Sequence, residues 1–273
     1  MALALPATAM FVLFALYPMG RVVYLSFFSY NLLTKATFVG LGNYRYLFHD
    51  PVAIGAVKET VFYVFGTYVP TIVIALLVAL ALNTRMRGSA FVRLLWFIPL
   101  AMSWVAASVI WNLIFQPAGL LNQVLHVHLN WLTTSADAPW ALVIMSIWKE
   151  VGFFLILFLA ALQRIPLEFY ESASLDGAGW LKRFRYVTLP GLRPMMVVVS
   201  MLAVYHRLAA FTPQYVMTDG GPANATEVVN LYVYNQAFVY GQMGTASALA
   251  VLLFIVLLLA AGAQWLLYRR AAE

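Results

Sequence analysis

Six runs of near-continuous apolar residues dominate this chain, and a run of about 20 such residues is read as a helix crossing a bilayer. They fall near 3–28, 60–82, 94–115, 140–162, 195–213 and 245–268. In hydrocarbon a segment has to satisfy its own backbone hydrogen bonds, which a helix does. The fold class expected is therefore all-α, a polytopic membrane protein with six transmembrane helices in a single domain over 1–273. Composition agrees. Hydrophobic residues make up 64% of the chain and charged residues 10%, where a soluble domain carries about a quarter. The fifth run is the least apolar. The first lacks a basic start and continues past Pro18 and Tyr24, too long for a cleaved signal, so it is expected to remain as an anchor.

Charge sets the orientation. Arg85, Arg87 and Arg93 lie between runs two and three, and Arg164, Lys182, Arg183, Arg185 and Arg193 between runs four and five. Arg269 and Arg270 lie at the C-terminus. The opposite side has Lys35, Arg45 and Lys58, all read as loop residues. Basic residues collect on cytoplasmic loops, so both termini and the loop 164–193 are expected in the cytosol. The net charge of +6 is thus topological, not a nucleic-acid signature. Pro18, Pro70, Pro99 and Pro213 fall in or near runs, and such kinks are tolerated where neighbours satisfy the freed backbone. There is no cysteine, which excludes thiolate chemistry. His126 and His128 are the one close histidine pair, without a third ligand nearby for a metal. No G-x-x-x-x-G-K-[ST] motif is present, so no metal or nucleotide site is expected in this chain.

The stretch 170–190, YESASLDGAGWLKRFRYVTLP, is polar in a chain that otherwise is not. Pro166 suits a first helical turn, Glu168 and Glu171 suit a helix's positive end, and Gly177 and Gly179 can stop it. A short helix is expected over 168–179. A short helix on a cytosolic loop is something a partner can grip.

Glu171-Ser172-Ala173, then Asp176-Gly177-Ala178, then Leu189-Pro190 resemble the "EAA" loop of ABC-importer permeases, with Ser172 where that family usually has Ala. Further elements follow in order. Phe38 to Tyr44 resembles "FVGLxNY", Phe97-Ile98-Pro99 a third-helix start, and Gly152-Phe153 part of the fourth helix. Gly220 to Glu227 resembles "GGPxNxTE", and Met243-Gly244 a sixth-helix entry. The chain is thus similar, over nearly its whole length, to binding-protein-dependent permeases of the carbohydrate and glycerol-phosphate type. That resemblance implies the type I importer architecture, in a bacterial or archaeal cytoplasmic membrane. It implies a second homologous permease, two cytosolic ATPase subunits, and an extracytoplasmic solute-binding protein docking on the outer loops. ATP and Mg would be held by the ATPases, and the chain itself would be no enzyme. Glu168, Glu171, Ser172, Ala173, Asp176, Gly177, Leu189 and Pro190 are then the coupling residues, seated in an ATPase cleft.

Ionisable residues inside a membrane are candidates for function. Lys149 and Glu150 fall early in the fourth run, and His206 and Arg207 in the fifth. These charges are either contacts for a sugar, phosphate or carboxylate, or partners of one another, with Lys149 or Arg207 paired to Glu150. Trp104, Trp148, Tyr205 and Phe211 offer rings on which a sugar can stack, or serve as packing. A segment over 43–48 is expected to lie as an amphipathic helix outside the first span. The rival reading is a secondary transporter driven by an ion gradient, for which Glu150 is the plausible carboxylate. A haem enzyme is a poorer rival, since only His206 falls within a run.

Overall fold

A computed structural model describes residues 5–83 and 89–272. Leu3, Arg85 and Arg87 lie outside the described residues, as do the side chains of Arg269 and Arg270. Helix α1 runs Leu5–Leu25 and widens over Val12–Leu16, just ahead of Pro18, whose ring removes a backbone donor. A two-residue hairpin follows, β1 (Phe28–Ser29) antiparallel to β2 (Thr37–Phe38), with Phe28 opposite Phe38. Helix α2, Gly42–Leu47, is the short helix expected over 43–48.

Helix α3 spans Pro51–Leu82, nine residues more than the run 60–82. Asp50 accepts from the amide of Val52 at 3.1 Å, and Pro51 opens the first turn, so the start is fixed by a cap and not by hydropathy. Lys58 therefore sits on a helix and not in a loop, which corrects that expectation. Two stripes divide α3. Ala56, Thr60, Tyr63, Thr67, Thr71, Ala75 and Ala79 are buried. Val57, Val61, Phe65, Val69, Val73 and Leu77 are exposed at four-residue spacing. The small inner stripe lets neighbouring helices approach closely, which is how helices associate in lipid; the bulkier outer stripe suits contact with acyl chains.

The third run is not one helix. It divides into α4 (Ser89–Ala101) and α5 (Trp104–Ile114), bent by 105°. Pro99 weakens the end of α4, and Ser103 is extended and caps α5 by accepting from Ala106 at 3.1 Å. Both residues are local breakers that apolarity hides. Helix α6 is Leu120–Leu125. Helix α7, Ala138–Leu162, is the buried axis of the bundle and packs on α3, α4 and α10. At Gly152 a Cβ would lie 2.0 Å from the Trp96 carbonyl oxygen, so only glycine allows α4 this close.

Helix α8 covers Leu167–Leu175, shorter than the expected 168–179, because Gly177 turns left-handed at φ +71°. Helix α9, Trp180–Arg183, leads through a wide turn at Phe184–Thr188 into α10, Leu189–Leu208. The expected fifth span, 195–213, ends early. Pro213 belongs to a separate helix α11, Thr212–Met217, since a proline disfavours helix in the residue before it. Helix α12 is Val229–Tyr234 and α13 is Met243–Ala272. Among the described residues five helices are long and apolar enough to cross a membrane, and the bent pair makes a sixth if it is one span.

The core has a centre between α3, α7 and α10, around Ala75, Phe154, Phe158 and Val199. A second lies around Phe115, Leu142 and Met145, and a third around Ala56, Tyr232 and Ala248. Helix α1 packs along α13 with no buried residue of its own. It is pinned where it leaves the membrane run. Asn43 donates to the carbonyls of Ser26 and Phe28 at 2.8 and 2.9 Å, and a Cβ on Gly244 would lie 2.0 Å from the Phe28 oxygen.

Candidate functional site

Helix α10 ends at Leu208, inside the bundle, and its end meets the start of α5 and the middle of α3 and α7 around a cavity of about 230 Å³. Trp104, Glu150, Tyr205, His206, Arg207 and Phe211 line it, with Tyr63, Thr212 and Pro213. Irregular backbone at 209–211 is compatible with a membrane because it borders this space. The six residues named first come from three different apolar runs, and the fold brings them together.

The charges are paired. Arg207 Nη1 forms an ion pair with Glu150 Oε2, and its Nη2 donates to Thr71 Oγ1 at 3.0 Å. Glu150 Oε1 lies 3.3 Å from His206 Nδ1. Arg207 is 1% exposed and Glu150 6%. Of Arg207's polar atoms, Nε has no partner. Truncating either side of such a buried pair would strand the other charge. Lys149 is not part of the pair. Its ammonium donates to the Leu100 carbonyl at 3.5 Å and lies 5.4 Å from the Trp104 ring centre. That carbonyl is near the end of α4, where the break removes its helical partners and the helix dipole favours a cation. Trp148 packs edge-on against Trp111, ring centres 5.5 Å apart, beside the second core cluster. Lys149 and Trp148 thus lie beside the cavity and do not line it.

Two cavity partners were not legible as such. Tyr63 donates its hydroxyl to Ser146 at 2.7 Å, and Thr71 holds Arg207. The signal was the inner stripe of α3, where Thr60, Tyr63, Thr67 and Thr71 recur at helical spacing.

At the other end of the bundle, α8 stands off from α7 and α10 across a cleft of about 640 Å³. Ser172, Ala173, Asp176 and Pro190 line this cleft, with Phe169 and Tyr186. Tyr170 and Thr188 hydrogen-bond at 3.0 Å, and Arg183 donates to Ser174 at 3.2 Å, so α8 is tied to the turn that follows it. Glu168 and Glu171 are exposed and lie off the cleft. Gly177 makes the left-handed turn after α8, and Leu189 opens α10. Around the acids, Leu167, Leu175 and Trp180 are exposed, Leu175 at 90%. An apolar, acid-flanked surface of this kind on a short helix is unusual for a free surface and fits a contact site.

The segment 220–227 packs at the end where α3, α7 and α13 begin. Thr226 donates to the Gly221 carbonyl at 2.9 Å, and Asn235 donates to Glu227 Oε1 at 3.0 Å. Burial pushes the Glu227 carboxyl above its ordinary 4.5; the Asn235 bond opposes this, and Asp50 and Asp219 add to it.

Comparison with known proteins places this geometry. A family model described as "Binding-protein-dependent transport system inner membrane component" matches residues 59–272. The probable ABC transporter permease protein YurN of Bacillus subtilis is 34% identical, covering 91% of this chain and 88% of that protein. The multiple sugar-binding transport system permease protein MsmF of Streptococcus mutans is 35% identical, covering 90% and 87%. Among solved structures, a bacterial alginate ABC transporter in complex with alginate pentasaccharide-bound periplasmic protein has a chain of the same fold. Its TM-score is 0.88 at 23% identity, covering 100% of this chain and 94% of that one.

Proposed function

Since the chain belongs to the family of binding-protein-dependent transport system inner membrane components, we propose that the cavity between Trp104, Glu150 and Arg207 is its share of a sugar's path through the membrane. The chain is a transport subunit of an ATP-driven ABC importer, not a secondary transporter and not an enzyme. Of the classes the family resemblance implies (a sugar, an oligosaccharide or a polyol phosphate), the reading favours a sugar or an oligosaccharide. The similarity to a multiple-sugar permease supports the sugar. The observation that carries the reading is the cavity itself: aromatic faces and hydrogen-bonding groups from α3, α5, α7 and α10 converge on one space, the arrangement expected of a ligand site.

The remaining partners follow from the same architecture. A second permease completes the pathway. Two ATPases, which hold ATP and Mg, grip α8 through Glu168, Glu171 and the exposed Leu175, and an outer binding protein delivers the sugar. The bias of basic residues supports a cytosolic position for α8 and both termini.

The test is uptake of radiolabelled hexoses and disaccharides by proteoliposomes holding this chain with its neighbouring permease, ATPases and binding protein. ATP-dependent uptake that falls on Trp104→Ala, with ATPase assembly intact, is the expected result. Uptake by this chain alone, driven by a proton or sodium gradient, would overturn it.

A further inference from the structure

The geometry points to a cavity that admits uncharged saccharides and refuses anionic ones, with Glu150 as the residue that sets this selectivity. The inference rests on the reading of the cavity as part of the sugar's path.

A membrane cavity with an arginine on its wall looks at first like a site for a phosphate or a carboxylate, since a guanidinium offers a planar fork to such groups. In this chain the fork is taken. One terminal nitrogen of Arg207 is held by Glu150, the other by Thr71. What is left is Nε, and Arg207 is 1% exposed. An incoming anion therefore meets no free pair of N–H groups. It meets instead the carboxylate of Glu150 on the cavity wall, more exposed at 6% than the guanidinium at 1% that balances it, so the nearer charge has the anion's own sign.

The second cation gives no relief. Lys149 is one residue from Glu150 but points to the Leu100 carbonyl, behind the Trp104 ring. It does not line the cavity. The groups still available to a ligand are neutral or nearly so: the half-exposed His206 imidazole, the Tyr205 and Thr212 side chains, and the faces of Trp104 and Phe211. Rings to stack on and a few hydrogen-bonding groups suit a pyranose with its hydroxyls. The imidazole does not change the sign of the argument, because its Nδ1 also faces Glu150 at 3.3 Å.

The experiment uses the assembled importer, both permeases with the ATPases, in lipid nanodiscs without the binding protein, so that the binding protein's own preference is absent. Saturation-transfer NMR is recorded with glucose, galactose and mannose, and with glucuronate, galacturonate and mannuronate. Each pair differs in one group, a hydroxymethyl against a carboxylate. The expected result is transfer to at least one hexose and none to its uronate. In Glu150→Gln, which frees the guanidinium, uronate transfer rises about tenfold or more, the scale of relieving one close like-charge contact. Equal transfer to a hexose and its uronate in the wild type overturns the inference, whether or not the variant assembles. So does a Glu150→Gln complex that binds the hexose and still refuses the uronate. Absence of any hexose transfer, or transfer unchanged by Trp104→Ala, instead takes down the pathway reading beneath it.

Discussion

Single residues in this chain act where two backbones or two charges come too close for any other choice. Gly152 is one. A Cβ there would lie 2.0 Å from the Trp96 carbonyl, and backbone has nowhere to go. Gly152→Ala is expected to destabilise the bundle by about 1–3 kcal/mol, the usual scale of overpacking, seen as a lower melting temperature of the purified complex. Glu227 is another. Its carboxyl is neutral more readily than usual because it is buried, so folding favours the protonated form. That contribution is full below its ordinary 4.5 and is lost as pH rises through the raised value in the folded chain. Glu227→Gln keeps an oxygen for Asn235 and cannot ionise. The variant's melting temperature should vary less with pH across that window, and a variant that tracks the wild type over the same range would contradict the argument. The charged residues Glu150, His206 and Arg207 were visible as anomalies in apolar runs. Their partner Thr71 was not, since a threonine on a helix facing inward carries no sign of what it holds.

At the scale of elements, the informative features are where helices stop. Asp50, Ser103, Gly177 and Pro213 each set an end or a break, and each is a local signal that a hydropathy window averages away. That is why the runs were legible, and a kink near Pro99 with them, while the size of the bend between α4 and α5 was not. The bend has a mechanical use in the structure. It turns Trp104 into the cavity and leaves the Leu100 carbonyl for Lys149. Helix α8 shows the opposite economy. Its length is only Leu167–Leu175, yet it exposes Leu175 almost completely with Glu168 and Glu171 alongside. A short rigid helix tied back by the Tyr170–Thr188 bond can pass a push to α10. Glu171→Ala is expected to cut sugar-stimulated ATPase activity about tenfold or more, in line with losing one partner of an interface ion pair, while leaving the melting temperature of the isolated permease pair unchanged. A variant with normal stimulated activity would move the grip to the apolar residues.

For the molecule as a whole, apolar periodicity and the basic bias were enough to give an all-α membrane bundle, and the polar loop gave its family. What they did not give is which residues meet. Trp148 and Trp104 look equivalent in the sequence; both pack against the second core cluster, and only Trp104 also reaches the cavity. The paired Glu150 and Arg207 have a consequence that reaches beyond binding. A charge that crosses a membrane exchanges about 2.3 kcal/mol with each 100 mV of potential. A sugar admitted only when it is uncharged carries no such charge across. Import should then draw no current, and its rate in proteoliposomes should be the same at zero and at 100 mV of imposed potassium potential. The cell's voltage would neither assist nor oppose this carrier, leaving ATP as its sole source of work.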